Sequence, residues 1–187
     1  MRAHTLPLAL LAFLALAGCG DAVEPVSQAQ ASVSTSPPPL LGAFKAQSET
    51  ARAVTGNVRV ERGGLLFANG VTLYTRGLEP RRGHDRIARG GESYAAAVVG
   101  SSNVVVELRR VNQQVISPDA AAIHGACDTA EPPRYLAIVY EPPARTMKLI
   151  VFTGDEAPGP DATDSRVCAI YGFMAPEGAR TREGVVL

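Results

Sequence analysis

About eight short apolar runs, each stopped by glycine or proline, constrain this chain more than any other feature. They fall between residues 56 and 174, and no long stretch with a 3.6-residue apolar period separates them. "GNVRVERGG" alternates, with Val58 and Val60 on one face and Arg59 and Glu61 on the other. "GLLFANGVTLYTRG" sets Asn69-Gly70 between two apolar runs. This is a hairpin signal, because both central residues of a two-residue turn would take positive φ. "SYAAAVVG" and "NVVVELRRV" read as two further strands. "RYLAIVYEPP" and "TMKLIVFTG" form a hairpin around "EPPAR", and "RVCAIYGFM" is the last strong run. In the first of that pair, Tyr135, Ala137 and Val139 alternate with Leu136, Ile138 and Tyr140, so both faces are largely apolar and the strand should be covered on both. "SPDAAAIHG" is the helix candidate, with Ser117 as cap, Pro118 at the first position and Gly125 closing it. The fold class expected is mainly β: a small antiparallel sandwich or barrel with one short helix, behind a disordered tether.

Composition agrees. The 187 residues are 46% hydrophobic and only 5% aromatic, without tryptophan, and the charges balance at zero. A neutral chain poor in stacking rings argues against nucleic acid as a partner.

The start of the chain belongs to targeting rather than to the fold. Arg2 and His4 precede a dozen apolar residues, Leu6 to Ala17, too few to span a bilayer, which needs about 20. This is the pattern of a secretory signal. The run ends in Leu16-Ala17-Gly18-Cys19, which resembles the lipobox of bacterial lipoproteins. The resemblance implies cleavage before Cys19, a diacylglyceryl thioether on its sulfur and an acylated new N-terminus. Two or more acyl chains give stable attachment, so the mature protein would be anchored to a membrane without crossing it. Gly20 stands where retained inner-membrane lipoproteins carry aspartate, which favours the outer membrane, facing the periplasm. The expected organisation is a signal peptide over 1–18, a lipidated and flexible Ser/Pro/Gln tether over 19–51, and a β-rich domain over 52–187. Pro37-Pro38-Pro39 should be locally stiff, while Leu40, Leu41 and Phe44 leave open a short helical turn docked on the domain.

Lipidation of Cys19 leaves Cys127 and Cys168 in an oxidising compartment, where a disulfide between them is expected. Two reduced cysteines and a metal pair are the alternatives, but neither cysteine sits in a C-x-x-C and no histidine cluster accompanies them.

Three groups of polar residues are candidates for function. Arg76, Arg81, Arg82, Arg86 and Arg89 crowd one segment opposed only by Glu79 and Asp85, a possible contact for an anionic partner or simply a solvated loop. "GDEAPGPDATDSR" carries Asp155, Glu156, Asp161 and Asp164 without the spacing of a calcium loop, and could face the arginines. His124 with Ser101, Ser102 and Asp128 supplies the ingredients of a hydrolase triad, but no G-x-S-x-G accompanies them. No catalytic or metal-ligating set is assigned, and no Walker, H-E-x-x-H or dinucleotide glycine pattern calls for a cofactor.

A lipid-anchored β domain with one disulfide is similar in outline to the membrane-bound lysozyme inhibitors of Gram-negative bacteria, and "TGDEA", residues 153–157, resembles part of their C-terminal motif. The residues before it, "ARTMKLIVF", depart from that family's serine/glycine/tyrosine signature, and its nearby tryptophan is missing, so no residue role is carried over. The function expected is a non-catalytic periplasmic binding or inhibitor module, with a periplasmic protein or cell-wall polymer as candidate partners. A structural or assembly accessory of the outer membrane is the alternative, and a hydrolase the second.

Overall fold

The computed structural model describes residues 40–187 apart from 121–124, 128, 142–144, 177–180, 183–184 and 187. In chain order its elements are β1 (Gly42–Ala46), a wide helical turn at Ala51–Thr55, β2 (Val58–Glu61), β3 (Gly64–Phe67), β4 (Val71–Gly77) and β5 (Arg81–Arg82). They continue with α1 (Tyr94–Val98), β6 (Val105–Ile116), β7 (Tyr135–Glu141), β8 (Thr146–Thr153) and β9 (Arg166–Met174), then a small hairpin, β10 (Thr181–Arg182) and β11 (Val185–Val186).

Eight of these strands close an antiparallel barrel in the order β4-β3-β2-β1-β9-β8-β7-β6, with β6 returning to β4. The length of β6 makes closure possible. Its first half pairs with β7 from Val106 to Arg110, and its second half pairs with β4 out to Ile116 against Val71. A bulge lets the strand bend between these partners: Tyr74 faces Gln113 but Thr75 faces Val111, leaving Asn112 unpaired.

The lumen is packed with side chains. Phe44, Val60, Leu65, Leu73, Leu149 and Phe173 are among its fully buried members. A second apolar layer covers the outside of β6, β7 and β8, where Ile87, Tyr94 and Val98 from the 78–104 segment pack on Val106, Val139 and Phe152. The two apolar sets of β7 are thereby explained: Leu136 and Ile138 enter the lumen, while Tyr135, Ala137 and Val139 meet the outer layer. Among the described residues nothing covers the outer faces of β2, β3 and β4 in this way. There Arg59, Leu66, Tyr74 and Arg76 are exposed.

Both barrel ends are closed. At one, the Ala51–Thr55 turn is tied to the β3–β4 connection by Asn69 Nδ2 donating to the Val54 carbonyl at 2.6 Å, and the Tyr171 hydroxyl donates to the Ala126 carbonyl at 2.9 Å. At the other, Leu40 is 5% exposed and its amide donates to Glu107 at 3.0 Å.

Several sequence expectations change. The domain begins before residue 52, because Gly42–Ala46 is a barrel strand and Leu40 and Phe44 are buried in the core. The segment read as tether over 40–51 is therefore part of the fold, through a strand rather than a short helical turn. The residues "SYAAAVVG" form the helix α1 instead of a strand: Ser93 accepts the Ala96 amide as N-cap, and three alanines with little intrinsic strand preference follow Tyr94. At "SPDAAAIHG", Ser117 to Ala120 make a turn closed by the Ala120 amide on the Ser117 carbonyl, and 121–124 lie outside the described residues. The Asn69-Gly70 hairpin is present, but its loop is Ala68-Asn69-Gly70 and only Gly70 takes positive φ, at 90°. A type I turn with glycine as the extra residue gives this three-residue loop.

Candidate binding site at the barrel rim

The acidic segment folds as a knot of its own carboxylates. Gly154, at φ 92°, begins it, and a Cβ there would lie 2.3 Å from the Asp164 carbonyl oxygen, so only glycine fits. The Glu156 carboxylate accepts the Thr163 amide at 2.6 Å and the Asp164 amide at 3.2 Å, while Asp164 accepts the Asp155 amide at 3.0 Å. These backbone N–H donors hold the Glu156 and Asp164 carboxyls below their ordinary range.

Beside this knot, at the rim where β7 starts and β8 ends, lies a cleft of about 240 Å³ walled by Glu131, Arg134, Asp155, Asp164 and Arg166. Cations and anions alternate around it. Arg134 Nη2 donates to Asp155 at 2.5 Å, Arg166 Nη2 donates to Glu131 at 2.8 Å, and Arg166 Nη1 pairs with Asp164. The Arg166 hydrogen bond lowers the Glu131 carboxyl below its usual value. All five side chains are at least two-fifths exposed, so these pairs contribute little to stability and remain open to exchange partners.

The Cys127–Cys168 disulfide, expected from the sequence, is formed, with Cα atoms 5.5 Å apart. It joins the segment that carries Glu131 to the strand that carries Arg166, fixing the two sides of the cleft relative to each other.

The five arginines singled out in the sequence do not converge. Arg76 lies on the outside of β4 and Arg82 is exposed at β5. Arg81 runs beside Tyr94 and stands 3.8 Å from Glu79. Arg86 donates to the Gly91 carbonyl at 2.7 Å and Arg89 to the Asp161 carbonyl at 3.4 Å, so both are engaged by loop backbone. The basic and acidic loops do meet, through the peptide chain. The Arg89 amide donates to Ala162, the Gly159 amide to Ile87, and the Tyr94 hydroxyl to Pro158. Burial pushes the Tyr94 phenol up to about 12. Cys19, His124 and Asp128 lie outside the described residues. Among the described residues, no group of three or more His, Cys, Asp or Glu is arranged to hold a metal.

Sequence reading missed Glu107 and Arg109. The V-E-L-R alternation of β6 suggests Val106 and Leu108 inside and the charges outside, but the strand is turned the other way. Val106 and Leu108 face the outer layer, and Glu107 and Arg109 face the lumen. Arg109 is 1% exposed. Its Nε donates to Glu107 at 2.8 Å and its Nη1 to the Glu61 carbonyl at 2.7 Å.

Because the Glu156 and Asp164 carboxyls are depressed, they hold the 154–165 loop above their unfolded values near 4 and release it as pH falls through the lower, folded ones. Exchange protection of the Thr163 and Asp164 amides, corrected for intrinsic rate, should persist at pH 6 and vanish in stronger acid. Protection unchanged down to pH 2 would contradict the knot.

The fold and rim together define a small, closed, disulfide-stapled antiparallel barrel with a charged cleft at one end. No protein-family model, curated protein or solved structure matches the chain.

Proposed function

We propose that this protein is a lipid-anchored, non-catalytic module of the cell envelope that binds a protein partner through the charged rim, as a receptor-like or inhibitory element. The Leu16-Ala17-Gly18-Cys19 sequence supports the anchor and an outer-membrane address facing the periplasm. One observation carries the binding role: the lumen is packed and closed at both ends, while the alternating Glu131, Arg166, Asp164, Asp155 and Arg134 cluster is preorganised by a disulfide and a self-bonded loop. Fixed charges of both signs around a cleft suit selective recognition of a complementary surface, since mispaired charges reject other partners. In the alternative reading, an outer-membrane accessory, the barrel exterior rather than the rim makes the contacts.

Affinity isolation from solubilised envelope, comparing wild type with Arg134→Glu/Arg166→Glu, tests the proposal. Both substituted positions are exposed, and a circular dichroism spectrum matching that of the wild type checks that the variant keeps its fold. The wild type should retain a soluble partner that the variant loses. Recovery of the same proteins with both would remove the rim from the account, and co-purification of integral membrane complexes with both would favour the accessory.

A further inference from the structure

Among the described residues the outside of β2, β3 and β4 is left bare, and the charge on this side of the barrel is not random. The chain has equal numbers of acidic and basic residues, 18 of each. Yet Lys45, Arg59, Arg76 and Arg110 point outward from β1, β2, β4 and β6, against Glu61 as the one outward acid among the described residues of these strands and of the half of β6 that pairs with β4. The acidic residues of the rim and its loop lie beyond β7 and β9, on another side of the barrel. Arg76 and Arg110 are direct cross-strand partners, an arrangement that costs stability, and neither has a carboxylate within ion-pair distance among the described residues. Interleaved with these cations are large apolar groups in water: Leu66 is 39%, Tyr74 50% and Val115 40% exposed. The register sets Arg59, Leu66, Thr72 and Val115 in one row across four strands. A groove of about 400 Å³ opens along the same face, lined by Lys45, Arg59, Leu66 and Ala68.

We propose that this wall is a contact surface for an anionic lipid bilayer, with the guanidinium groups on headgroup phosphates and Leu66, Tyr74 and Val115 at the level of the headgroups. The proposal rests on the anchored reading above. A soluble polyanion would engage the arginines but would leave the aliphatic and phenolic groups in water. A bilayer surface takes both, because its phosphates lie beside apolar matter and tyrosine favours that boundary.

The absence of tryptophan from the chain provides the test. Full-length, processed protein carrying Tyr74→Trp is reconstituted in vesicles of phosphatidylcholine, with or without phosphatidylglycerol, containing lipids brominated near the headgroup. Val99→Trp, at a position 96% exposed on the segment that covers the opposite layer, serves as the reference. The position-74 indole should be quenched and blue-shifted in the anionic vesicles, more than the position-99 indole. Adding Arg59→Gln, Arg76→Gln and Arg110→Gln should abolish that difference, and relieving the Arg76–Arg110 opposition keeps the sheet intact. Equal quenching at the two positions, or no dependence on anionic lipid, overturns the proposal. So does a response of the position-74 indole to soluble heparin but not to anionic vesicles. Flotation of the protein with zwitterionic vesicles reports the anchor separately, so a protein that floats without quenching refutes the wall and spares the anchor.

Discussion

Replacing Arg109 by alanine should lower the unfolding free energy by about 3 kcal/mol, because a buried guanidinium gives up its charge-assisted hydrogen bonds and leaves a cavity. The guanidinium is 1% exposed and satisfies two groups at once, the Glu107 carboxylate and the Glu61 carbonyl. Its loss leaves the Glu107 carboxylate, 24% exposed, with the Leu40 amide and solvent as donors, and a cavity where the side chain lay. Glu107→Leu combined with Arg109→Met should recover most of the loss, falling short by about 1 kcal/mol for the Leu40 amide left without its acceptor. Urea denaturation followed by circular dichroism measures both. A single-variant loss below 1 kcal/mol would mean that the pair is not enclosed, and the orientation of β6 would have to be revised.

Removing the disulfide by Cys127→Ala/Cys168→Ala should cost about 4 kcal/mol, because the bridge closes a loop spanning a sequence separation of 41 and restricts the unfolded chain accordingly. The effect extends to the rim. Without the covalent link, the side-chain contact between Glu131 and Arg166 is an exposed ion pair worth about 0–1 kcal/mol, and the segment before β7 is free to shift against β9. The same drop in denaturation midpoint should appear when the wild type is treated with reductant, and partner capture should weaken in parallel. A midpoint indifferent to reductant would show that the bridge does not restrain the fold.

The strand runs between residues 56 and 174 were legible because each combines β-branched residues with a glycine or proline stop, and the number expected was about the number that closes the barrel. The membership differed by one exchange. The first strand, "GAFKA", was hidden beside a polar, proline-rich segment, and its one strong signal, Phe44, has only Gly42 and Ala46 two residues away, neither a strand former. "SYAAAVVG" was counted in its place, although its alanines carry no strand preference and its serine is a good helix cap. The disulfide followed from counting cysteines. The lumenal Glu107 and Arg109 could not be read from alternation alone, since a strand with apolar layers on both sides gives no local sign of which face holds the charges. The rim escaped for a different reason. Its residues come from three segments separated by as many as 35 positions, and only closure of the barrel brings Glu131 beside Arg166.

The central proposal, an acylated and disulfide-locked barrel exported to the cell envelope, is tested most directly by the intact mass of the protein isolated from its native cells. The account predicts a chain that starts at Cys19, carries glyceryl-linked and amide-linked acyl groups, and resists thiol alkylation until reduced. A species with residues 1–18 still present, no lipid, and free thiols at Cys127 and Cys168 would contradict it.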